Sequence, residues 1–390
     1  MAHAPSIIGW AHTEFGKLAD PDIEALIARV STAAIGHAGV DASDVDAIHV
    51  GVFNSGFSAQ SFDAALVGAG AHELSQIPAT RSENACATGS AALYAALDFI
   101  ESGRGRIALV VGAEKMTATP GAKVGDILLG ATYLATESSY GSFPGVFAAL
   151  AQQYRERYGD PREAMALIAA KNHRNGVRNP YAHMRKDLGY EFCTTVSERN
   201  PYVAAPLLRT DCSMVSDGAA ALVIASADVA SAAPRAVTVK ARAQANEAMA
   251  LARRRDPLAF DGARTAFTTA LRDAGIALAD LDFLETHDCF TMAELLQYEA
   301  FGLAEPGKGA TVVAEGITDR DGILPVNVSG GLKSKGHPIG ATGVSQHVMA
   351  AMQLTGQAGE MQLDRAGLGA VFNMGGAAVA NYATVLEATR

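Results

Sequence analysis

Two kinds of hydrophobic pattern alternate along the chain. Residues 90–103 and 344–357 place apolar side chains at helical spacing, which predicts two amphipathic helices. Residues 106–116 and 368–386 instead contain near-continuous apolar runs, which predict buried strands. Because predicted strands alternate with predicted helices, we expect an α/β fold with a mainly parallel sheet that is covered by helices.

An internal repeat is visible in the same pattern. At a fixed offset of 236, residues 32–46 and 268–282 are identical at six of fifteen positions. Each copy predicts a helix that ends at a glycine C-cap, Gly39 in the first copy and Gly275 in the second, followed by a short strand. The repeat therefore predicts two similar α/β halves.

A second pair of matching segments lies at an offset of 254. Residues 86–89, Cys-Ala-Thr-Gly, align with residues 340–343, Gly-Ala-Thr-Gly, and each segment leads into one of the amphipathic helices. We therefore expect one half at 1–230 and the other at 235–390. Residues 117–205 interrupt the first half as an insertion.

The repeat places two reactive side chains in equivalent positions. In a pseudo-symmetric pair of open α/β units, equivalent helix N-termini face a shared crevice at the carboxyl ends of the strands. Cys86 precedes one of the two equivalent helices, and His337 precedes the other. The two side chains should therefore meet, although 251 positions separate them.

The insertion at 117–205 contains helical stretches and a basic segment. Residues 151–190 carry eight Lys or Arg against four Asp or Glu, on a chain whose net charge is −10. One interpretation is a solvated helical face. The other is a lid that presents cations to an anionic ligand such as a nucleotide phosphate. The pattern alone leaves both interpretations open.

Composition narrows the class of protein. The 390 residues are 49% hydrophobic, and the negative net charge argues against nucleic-acid binding, which depends on Lys and Arg. The four cysteines form no CxxC pair, so a structural zinc site is not expected. Disulfides are not expected either, because the sequence is typical of a reduced, cytosolic enzyme. The sequence contains no membrane-spanning apolar run, secretory leader pattern or C-terminal peroxisomal address, so we expect a cytoplasmic protein without a membrane partner.

Cys86 is the first candidate for chemistry. It lies in ENACATGSAAL, directly before a predicted helix, whose N-terminus carries partial positive charge and unpaired N–H groups. These features lower the pKa of a thiol and favour a nucleophilic thiolate. The alternative interpretation is a buried structural cysteine.

His337 is the second candidate. It lies in GGLKSKGHPIGATG, where glycines on both sides give a compact loop and Pro338 fixes the neighbouring backbone. An imidazole with a pKa near 7 at a helix start is suited to act as a general base. The alternative is a histidine that is held there only for structure.

Two further segments carry candidate groups. His287 and Cys289 lie two positions apart on a predicted strand, so their side chains would point the same way. Two ligands alone make a poor zinc site, so no metal site is predicted. Residues 373–377, Asn-Met-Gly-Gly-Ala, follow another strand, and their backbone N–H groups either bind an oxyanion or form a simple turn.

Together these segments resemble the thiolase superfamily over essentially the whole chain. ENACATGSAAL is similar to the nucleophile segment, residues 213–226 to the end of the N-terminal half, and GHPIGATG to the GHPxGxTG signature. HDCF at 287–290, in place of the commoner NEAF, resembles the branch related to sterol-carrier-protein-2 thiolases. The resemblance implies two pseudo-symmetric α/β halves packed as a layered α-β-α-β-α core, with an inserted loop or lid domain.

The chain departs from the commonest family pattern at one position. Many members carry a second catalytic cysteine in a CxG motif, where Asn373 stands in this chain. In the HDCF branch the cysteine of HDCF supplies that function, and Cys289 is present. The resemblance therefore implies an active enzyme, unlike thiolase-like aldolases, in which this set of cysteines and histidines is eroded.

The resemblance implies acyl transfer through a cysteine. His337 takes the proton of Cys86, whose thiolate attacks the 3-oxo carbon of a 3-oxoacyl-CoA. The backbone N–H groups of Cys86 and Gly375 hold the resulting oxyanion. The enolate oxygen is held by His337 and by a water that His287 positions, while Cys289 protonates the carbanion and then deprotonates incoming CoA. The reverse reaction is a Claisen condensation.

Ligands and partners are also implied by the resemblance. Coenzyme A is a co-substrate and no cofactor is bound permanently, while Ser213 aligns with a serine that contacts the pantetheine arm. We expect residues 151–190 to supply contacts with CoA phosphates. A homodimer or tetramer is expected, and some relatives need a small zinc-ribbon/OB-fold partner. The alternatives are a thiolase-fold aldolase and a non-catalytic subunit of a thiolase complex.

Overall fold

A computed structural model describes residues 4–389. Its strands are β1 (Ser6–His12), β2 (Ala47–Gly51), β3 (Ala79–Ser82), β4 (Ile107–Glu114), β5 (Tyr202–Ala204), β6 (Leu207–Leu208), β7 (Gly218–Ala225), β8 (Val237–Asn246), β9 (Phe283–Glu285), β10 (Leu368–Gly375) and β11 (Ala380–Ala388). Its α-helices are α1 (Ile23–Ala38), α2 (Leu66–Gly70), α3 (Thr88–Glu101), α4 (Gly121–Leu129), α5 (Leu134–Glu137), α6 (Phe143–Tyr158), α7 (Arg162–Gly176), α8 (Gly189–Thr194), α9 (Ala227–Ala232), α10 (Asp261–Ala274), α11 (Thr291–Ala300), α12 (Gly309–Ala314), α13 (Gly331–Lys335) and α14 (Thr342–Leu354). The predicted α/β class is confirmed.

Residues 1–3 and 390, the outer limits of the two predicted halves, lie outside the described residues. They also belong to the terminal segments in which no secretory leader and no peroxisomal address was predicted. The boundary between the halves stays a prediction. Among residues 4–389, the helices are too short or too polar to cross a bilayer.

Nine strands form one sheet whose order is symmetric about its middle. The order is β3-β2-β4-β7-β1-β8-β11-β10-β9. Outward from the central β1–β8 pair, each half continues through two antiparallel pairings, β1–β7–β4 in one half and β8–β11–β10 in the other. Each half then adds a parallel strand, β2 or β9. The predicted internal repeat is therefore present in the strand order.

The prediction of a mainly parallel sheet is wrong. Of the eight pairings in this sheet, only β2–β3, β2–β4 and β9–β10 are parallel. The short turn at 376–379 makes β11 antiparallel to β10, because two strands joined so closely cannot be parallel. The apolar run at 368–386 contains both strands, and its hydrophobicity alone does not reveal this reversal.

Two helices lie between the halves of the sheet. α3 packs on β2 and β4, α14 packs on β7 and β10, and the two helices contact each other. α1 covers the outer face of the first half, and α10 covers the outer face of the second. This arrangement is the expected α-β-α-β-α layering, with the two equivalent helices in the central layer.

Glycines allow α3 and α14 to meet at their N-terminal ends. A methyl group on Gly89 would lie 2.7 Å from the backbone nitrogen of Val344, and one on Gly343 would collide with the backbone of Ser90. Side chains at these positions would push the helices apart. The close approach therefore brings together the segments that precede the two helices.

The repeated local features are confirmed. α1 and α10 end before Gly39 and Gly275, whose φ angles of 70° and 71° lie in the left-handed region that favours glycine. α3 and α14 start at Thr88 and Thr342, which are equivalent at the offset of 254. The two copies therefore have the same helix boundaries at the positions that matter for the site.

The insertion at 117–205 packs into the core through α7. Lys171 on this helix is buried and its Nζ lies 2.6 Å from a carboxylate oxygen of Glu294. Five of the eight basic side chains of 151–190 form ion pairs with carboxylates: Arg155, Arg157, Arg162, Lys171 and Arg174. These contacts favour an insertion that is packed on the rest of the protein, with most of its cations paired to carboxylates, over a lid.

Candidate active site

Cys86 lines a cavity of about 880 Å³. It precedes Ala87, the N-cap residue of α3, and follows Ala85, whose φ of 48° is left-handed. This unusual backbone turns the chain sharply into the helix. Cys86 is 5% exposed, so the sulfur is largely removed from solvent. Its predicted place directly before a helix is confirmed.

His337 lies on the facing segment from the second half and lines the same cavity. Its Nδ1 lies 2.6 Å from the hydroxyl oxygen of Thr342. That hydroxyl donates its hydrogen to the carbonyl of Pro338 at 3.0 Å, so it accepts from the imidazole. Nδ1 therefore carries the proton of the neutral ring, and Nε2 keeps its lone pair.

A cysteine and two histidines meet across the two halves. One atom each of Cys86, His287 and His337, the sulfur and two ring nitrogens, lie within 4.8 Å of one another. The two imidazoles pack edge to face with centroids 5.2 Å apart. Among residues 4–389, Nε2 of neither histidine has a hydrogen-bond partner. The predicted meeting of Cys86 and His337 is therefore confirmed.

The strand argument for His287 and Cys289 is wrong, although both residues belong to the site. β9 ends at Glu285, so neither residue lies on a strand. Beyond this strand the Asp288 carboxylate accepts from backbone N–H groups at the start of α13, which holds the segment 287–289 against that helix. Cys289 still lines the cavity and is 2% exposed, while His287 is fully buried beside it.

The pKa of Cys86 differs from the sequence prediction. Burial raises the pKa of this thiol to about 12, although the backbone N–H groups of Gly376 and of Cys86 itself lower it. The loss of solvent around the sulfur thus outweighs the hydrogen bonds from these two backbone N–H groups. The resting side chain is a neutral thiol, and the predicted low pKa is wrong.

The pKa of His337 is also far from the predicted value near 7. Burial, with a smaller contribution from the charge on Lys335, lowers it to about 3. The ring is therefore neutral at pH 7 and has a free lone pair. A proton moved from Cys86 to His337 would create two opposite charges that stabilise each other in a medium of low dielectric.

Cys289 is protonated at rest for a similar reason. Burial raises the pKa of its thiol well above the usual value, and the proximity of Cys86 raises it further. Burial likewise holds the pKa of His287 well below 6.5, with a further contribution from His337. The site therefore contains two thiols and two neutral imidazoles at pH 7.

A backbone amide near the nucleophile lies one residue from the predicted position. Gly375 is the last residue of β10, and Gly376 follows with a left-handed φ of 61°. The amide that stabilises a Cys86 thiolate is that of Gly376. Two consecutive glycines in the sequence did not reveal which amide faces the sulfur, and an oxyanion role for Gly375 stays a prediction.

Two buried carboxylates hold the loops in place. Glu114 accepts 3.0 Å hydrogen bonds from the backbone N–H groups of Phe53 and Gly340, which ties the His337 segment to the first half. Asp288 accepts from Leu332 at 2.6 Å and from the side chain of Asn172 at 2.8 Å. Sequence reasoning gave neither carboxylate a role, although Glu114 ends an apolar run and Asp288 lies within the HDCF segment.

The cavity wall is mostly apolar and has a cationic side. Phe53, Met116, Phe143 and Phe290 are among its apolar lining. Ser213 also lines it, and its backbone N–H donates to the carbonyl of Cys289 at 2.9 Å. Four cationic side chains line the same cavity: Lys186, Arg199, Arg209 and Lys333. Only Lys186 comes from the basic segment that was predicted to meet phosphate.

Sequence families provide an independent comparison. The family model "Thiolase, N-terminal domain" matches residues 6–189, and "Thiolase C-terminal domain-like" matches residues 243–388. The acetyl-CoA acetyltransferase of Methanothermobacter thermautotrophicus is 37% identical over 382 residues, which cover 95% of this chain and 96% of that protein. The chain belongs to the thiolase family.

A further relative supports the branch suggested by the HDCF segment. Sterol carrier protein 2 of Oryctolagus cuniculus is 33% identical to this thiolase over 325 residues, which cover 78% of this chain and 58% of that protein. The predicted resemblance to the thiolase superfamily and its sterol-carrier-protein-2 branch is confirmed.

Solved structures share the thiolase fold. The Ltp2-ChsH2(DUF35) aldolase superposes with a TM-score of 0.82 at 21% identity, covering 99% of this chain and 98% of that one. Human mitochondrial 3-ketoacyl-CoA thiolase in complex with CoA superposes with a TM-score of 0.76 at 18% identity, covering 100% and 99%. At these identities the similarity concerns the fold alone.

Proposed function

We propose that this thiolase cleaves a 3-oxoacyl-CoA with CoA, or runs the reverse Claisen condensation, through an acyl group on Cys86. The observation that carries the proposal is the cluster of Cys86, His287 and His337 within 4.8 Å, formed from both halves of the chain. A thiol, a neutral imidazole with a free lone pair and a second thiol at one cavity fit nucleophilic acyl transfer.

The first half-reaction begins with proton transfer. His337 Nε2 takes the proton of Cys86, and the thiolate attacks the 3-oxo carbon. Backbone N–H groups of Cys86 and of the segment Gly375–Gly376 hold the oxyanion. The oxyanion then re-forms its carbonyl, the bond between C2 and C3 breaks, and the electron pair leaves on the enolate of acetyl-CoA or of a substituted analogue.

The enolate needs its own stabilisation and a proton. Its thioester oxygen is held by His337, now protonated, and by His287, either directly or through a water that His287 positions. The thiol of Cys289 protonates the carbanion at C2, and acetyl-CoA departs. The Cys289 thiolate then removes the thiol proton of incoming CoA, whose sulfur attacks the acyl group on Cys86. The released Cys86 thiolate recovers its proton from His337.

Coenzyme A is the proposed co-substrate, with no permanently bound cofactor. The apolar wall suits the pantetheine arm and an acyl chain, and Ser213 lies on that wall. The cationic lining suits phosphate groups. We also propose a cytoplasmic homodimer or tetramer, with halves at 1–230 and 235–390.

A second candidate function comes from the fold similarity to the Ltp2-ChsH2(DUF35) aldolase. A thiolase-fold aldolase would cleave a 3-hydroxyacyl-CoA and would not need an acyl-cysteine. A related candidate is a thiolase that works only with a small zinc-ribbon/OB-fold partner. Retention of Cys86, Cys289 and both histidines at one cavity favours the thiolase reaction.

Acyl labelling separates these functions. The purified protein would be mixed with a radioactive short-chain acyl-CoA, digested, and the labelled peptide identified. We expect label on the peptide that contains Cys86, none with Cys86→Ala, and CoA-dependent cleavage in a screen of 3-oxoacyl-CoA substrates. An unlabelled wild-type protein that cleaves a 3-hydroxyacyl-CoA would establish the aldolase instead. Activity only after a partner is added would establish the third candidate.

A further inference from the structure

Asn373 lies between the nucleophile and the second histidine. Its Nδ2 lies 3.1 Å from the backbone carbonyl oxygen of Cys86 and 2.9 Å from Nδ1 of His287. Its Oδ1 accepts from the hydroxyl of Ser90 at 2.8 Å. The side chain is fully buried, so these contacts are not shared with solvent.

The orientation of the Asn373 amide follows from its partners. A backbone carbonyl oxygen accepts hydrogen bonds and cannot donate them, so the amide atom beside the Cys86 carbonyl must be the nitrogen. The NH₂ group has two hydrogens. One is directed to the carbonyl and the other to His287.

The amide orientation dictates the protonation of His287. Because Nδ1 of His287 receives a hydrogen from Asn373, it must supply a lone pair and cannot carry a proton of its own. The proton of the neutral ring is therefore on Nε2, which is buried without a partner among residues 4–389. His287 presents an N–H group to the site, whereas His337 presents a lone pair.

We propose that Asn373 is a positioning residue that fixes His287 as the Nε2–H tautomer, and that this tautomer prevents the Cys86, His287 and His337 cluster from binding a metal ion. A cysteine and two histidines within 4.8 Å form a natural ligand set for zinc or cobalt. An imidazole nitrogen that carries hydrogen has no lone pair for a metal. Only a thiol and one imidazole are then available, too few for a tight site.

The tautomer does not depend on the proposed function, but its catalytic consequence rests on it. The same N–H group that excludes a metal can donate to the thioester oxygen of the enolate. Asn373 stands where many thiolases have a cysteine, and a thiol at that position would offer one weak donor instead of two directed hydrogens. Asparagine at this position thus suits a site whose two reactive thiols are those of Cys86 and Cys289.

Nitrogen NMR of the wild-type protein tests the tautomer directly. Histidine labelled with ¹⁵N gives different chemical shifts for protonated and unprotonated ring nitrogens, and His287→Phe assigns the signals by their loss. We expect a protonated Nε2 and an unprotonated Nδ1 for His287, with the reverse for His337. A protonated Nδ1 on His287 would overturn the proposal, and this measurement needs no folded Asn373 variant.

Cobalt binding tests the consequence. In Asn373→Asp, a carboxylate replaces the donor beside Nδ1, favours a proton there and leaves a lone pair on Nε2. We expect this variant to acquire a Co²⁺ site with a thiolate-to-cobalt absorption band and at least about 10-fold tighter binding than the wild type, since such outer partners change metal affinity by 10–100-fold. The band should disappear in Asn373→Asp with Cys86→Ser.

Ser90→Ala is the matched control. It removes the hydroxyl that donates to Asn373 Oδ1 but leaves the Cys86 carbonyl that orients Nδ2. We expect it to keep the wild-type tautomer and to gain no Co²⁺ band. Equally tight Co²⁺ binding through Cys86 in the wild type would contradict the proposal. A wild-type protein that has the expected tautomer but cleaves no 3-oxoacyl-CoA with CoA would instead count against the proposed function and leave the tautomer standing.

Discussion

The two histidine segments of the site contain the same residue type in similar burial, yet they offer opposite chemistry. His337 has a hydroxyl acceptor, Thr342, beside Nδ1, so its Nε2 is a base. His287 has an amide donor, Asn373, beside Nδ1, so its Nε2 is a hydrogen-bond donor. One neighbour therefore decides whether a buried imidazole accepts or donates toward a substrate.

This difference explains why one cluster can contain two neutral imidazoles without redundancy. The step that activates Cys86 needs a lone pair, and the step that stabilises an enolate needs a hydrogen-bond donor. Burial keeps both rings uncharged, because it lowers the pKa of each. Identical substitutions at the two positions should therefore give different kinetic results.

The largest effect is expected for His337→Phe, which removes the base. Without it, the proton of Cys86, whose pKa burial raises to about 12, has no acceptor at the sulfur. We expect acyl-enzyme formation from a short acyl-CoA to slow by about 1000-fold, within the range for a lost general base. Rapid-quench measurement of labelled Cys86 gives this rate.

The exposed His72 provides the control for His337. His72→Phe should leave the acylation rate unchanged. An acylation rate in His337→Phe within a few-fold of wild type would show that another group takes the proton, and the assignment of His337 as base would fail.

The next-largest effect concerns stability and is expected for Glu114, the carboxylate that anchors the His337 segment. Burial raises the pKa of Glu114 to about 7 in the folded protein, above the ordinary glutamate value of 4.5. The folded state therefore binds more protons than the unfolded state between these values, and stability falls as pH rises through this window. The shift corresponds to about 3 kcal/mol across the window.

The measurement compares the free energy of unfolding of wild type and Glu114→Gln by denaturant titration between pH 4.5 and 7.5. The variant cannot ionise at this position. As pH rises, we therefore expect the free energy of unfolding of the wild type to fall relative to that of the variant. A constant difference between the two proteins across this range would contradict the raised pKa of Glu114.

A smaller and more selective effect is expected for His287→Phe, which removes a donor rather than the base. We expect cleavage of a 3-oxoacyl-CoA to slow by about 100-fold, as for a lost oxyanion donor. Acylation of Cys86 by a simple acyl-CoA forms no enolate, so its rate should stay close to that of wild type. Steady-state and rapid-quench kinetics on the same preparation separate the two steps.

His287→Gln is the matched variant, because it retains an N–H donor. It should recover part of the lost cleavage rate. If His287→Phe slows acylation as much as it slows cleavage, the two histidines do not have the separate roles that their neighbours assign to them.

Local sequence features predicted which segments form the site. They did not reveal how deeply its side chains are buried or which residues, distant in sequence, contact them. The repeat and the glycine caps at Gly39 and Gly275 follow from local chemistry, and they correctly implied that Cys86 and His337 meet. The predicted low pKa of Cys86 and the predicted pKa near 7 of His337 were wrong, because a sequence does not show the loss of solvent around these side chains. The prediction of a mainly parallel sheet was also wrong, because the apolar run at 368–386 does not show that the chain reverses its direction between β10 and β11.

The amide of Asn373 shows the same limit in more detail. Its position stands out in the sequence because a cysteine is commoner there in thiolases, but its contacts join residues 86 and 287, which are distant in sequence. Only the fold shows that one side chain touches both. A sequence can therefore nominate the reactive groups of this site, while the groups that set their protonation emerge from packing.

The smallest effect, and the most direct test of how a neighbour sets the role of a histidine, is expected for Thr342→Val. Valine has nearly the same shape but cannot accept from Nδ1 of His337 or donate to the carbonyl of Pro338. We expect acylation of Cys86 to slow by about 10-fold, the cost of roughly one buried hydrogen bond. Thr342→Ser should restore the rate, because it returns the hydroxyl without the methyl group. An unchanged rate in Thr342→Val would mean that His337 keeps its reactive tautomer without this neighbour, and the contrast with His287 would then need another cause.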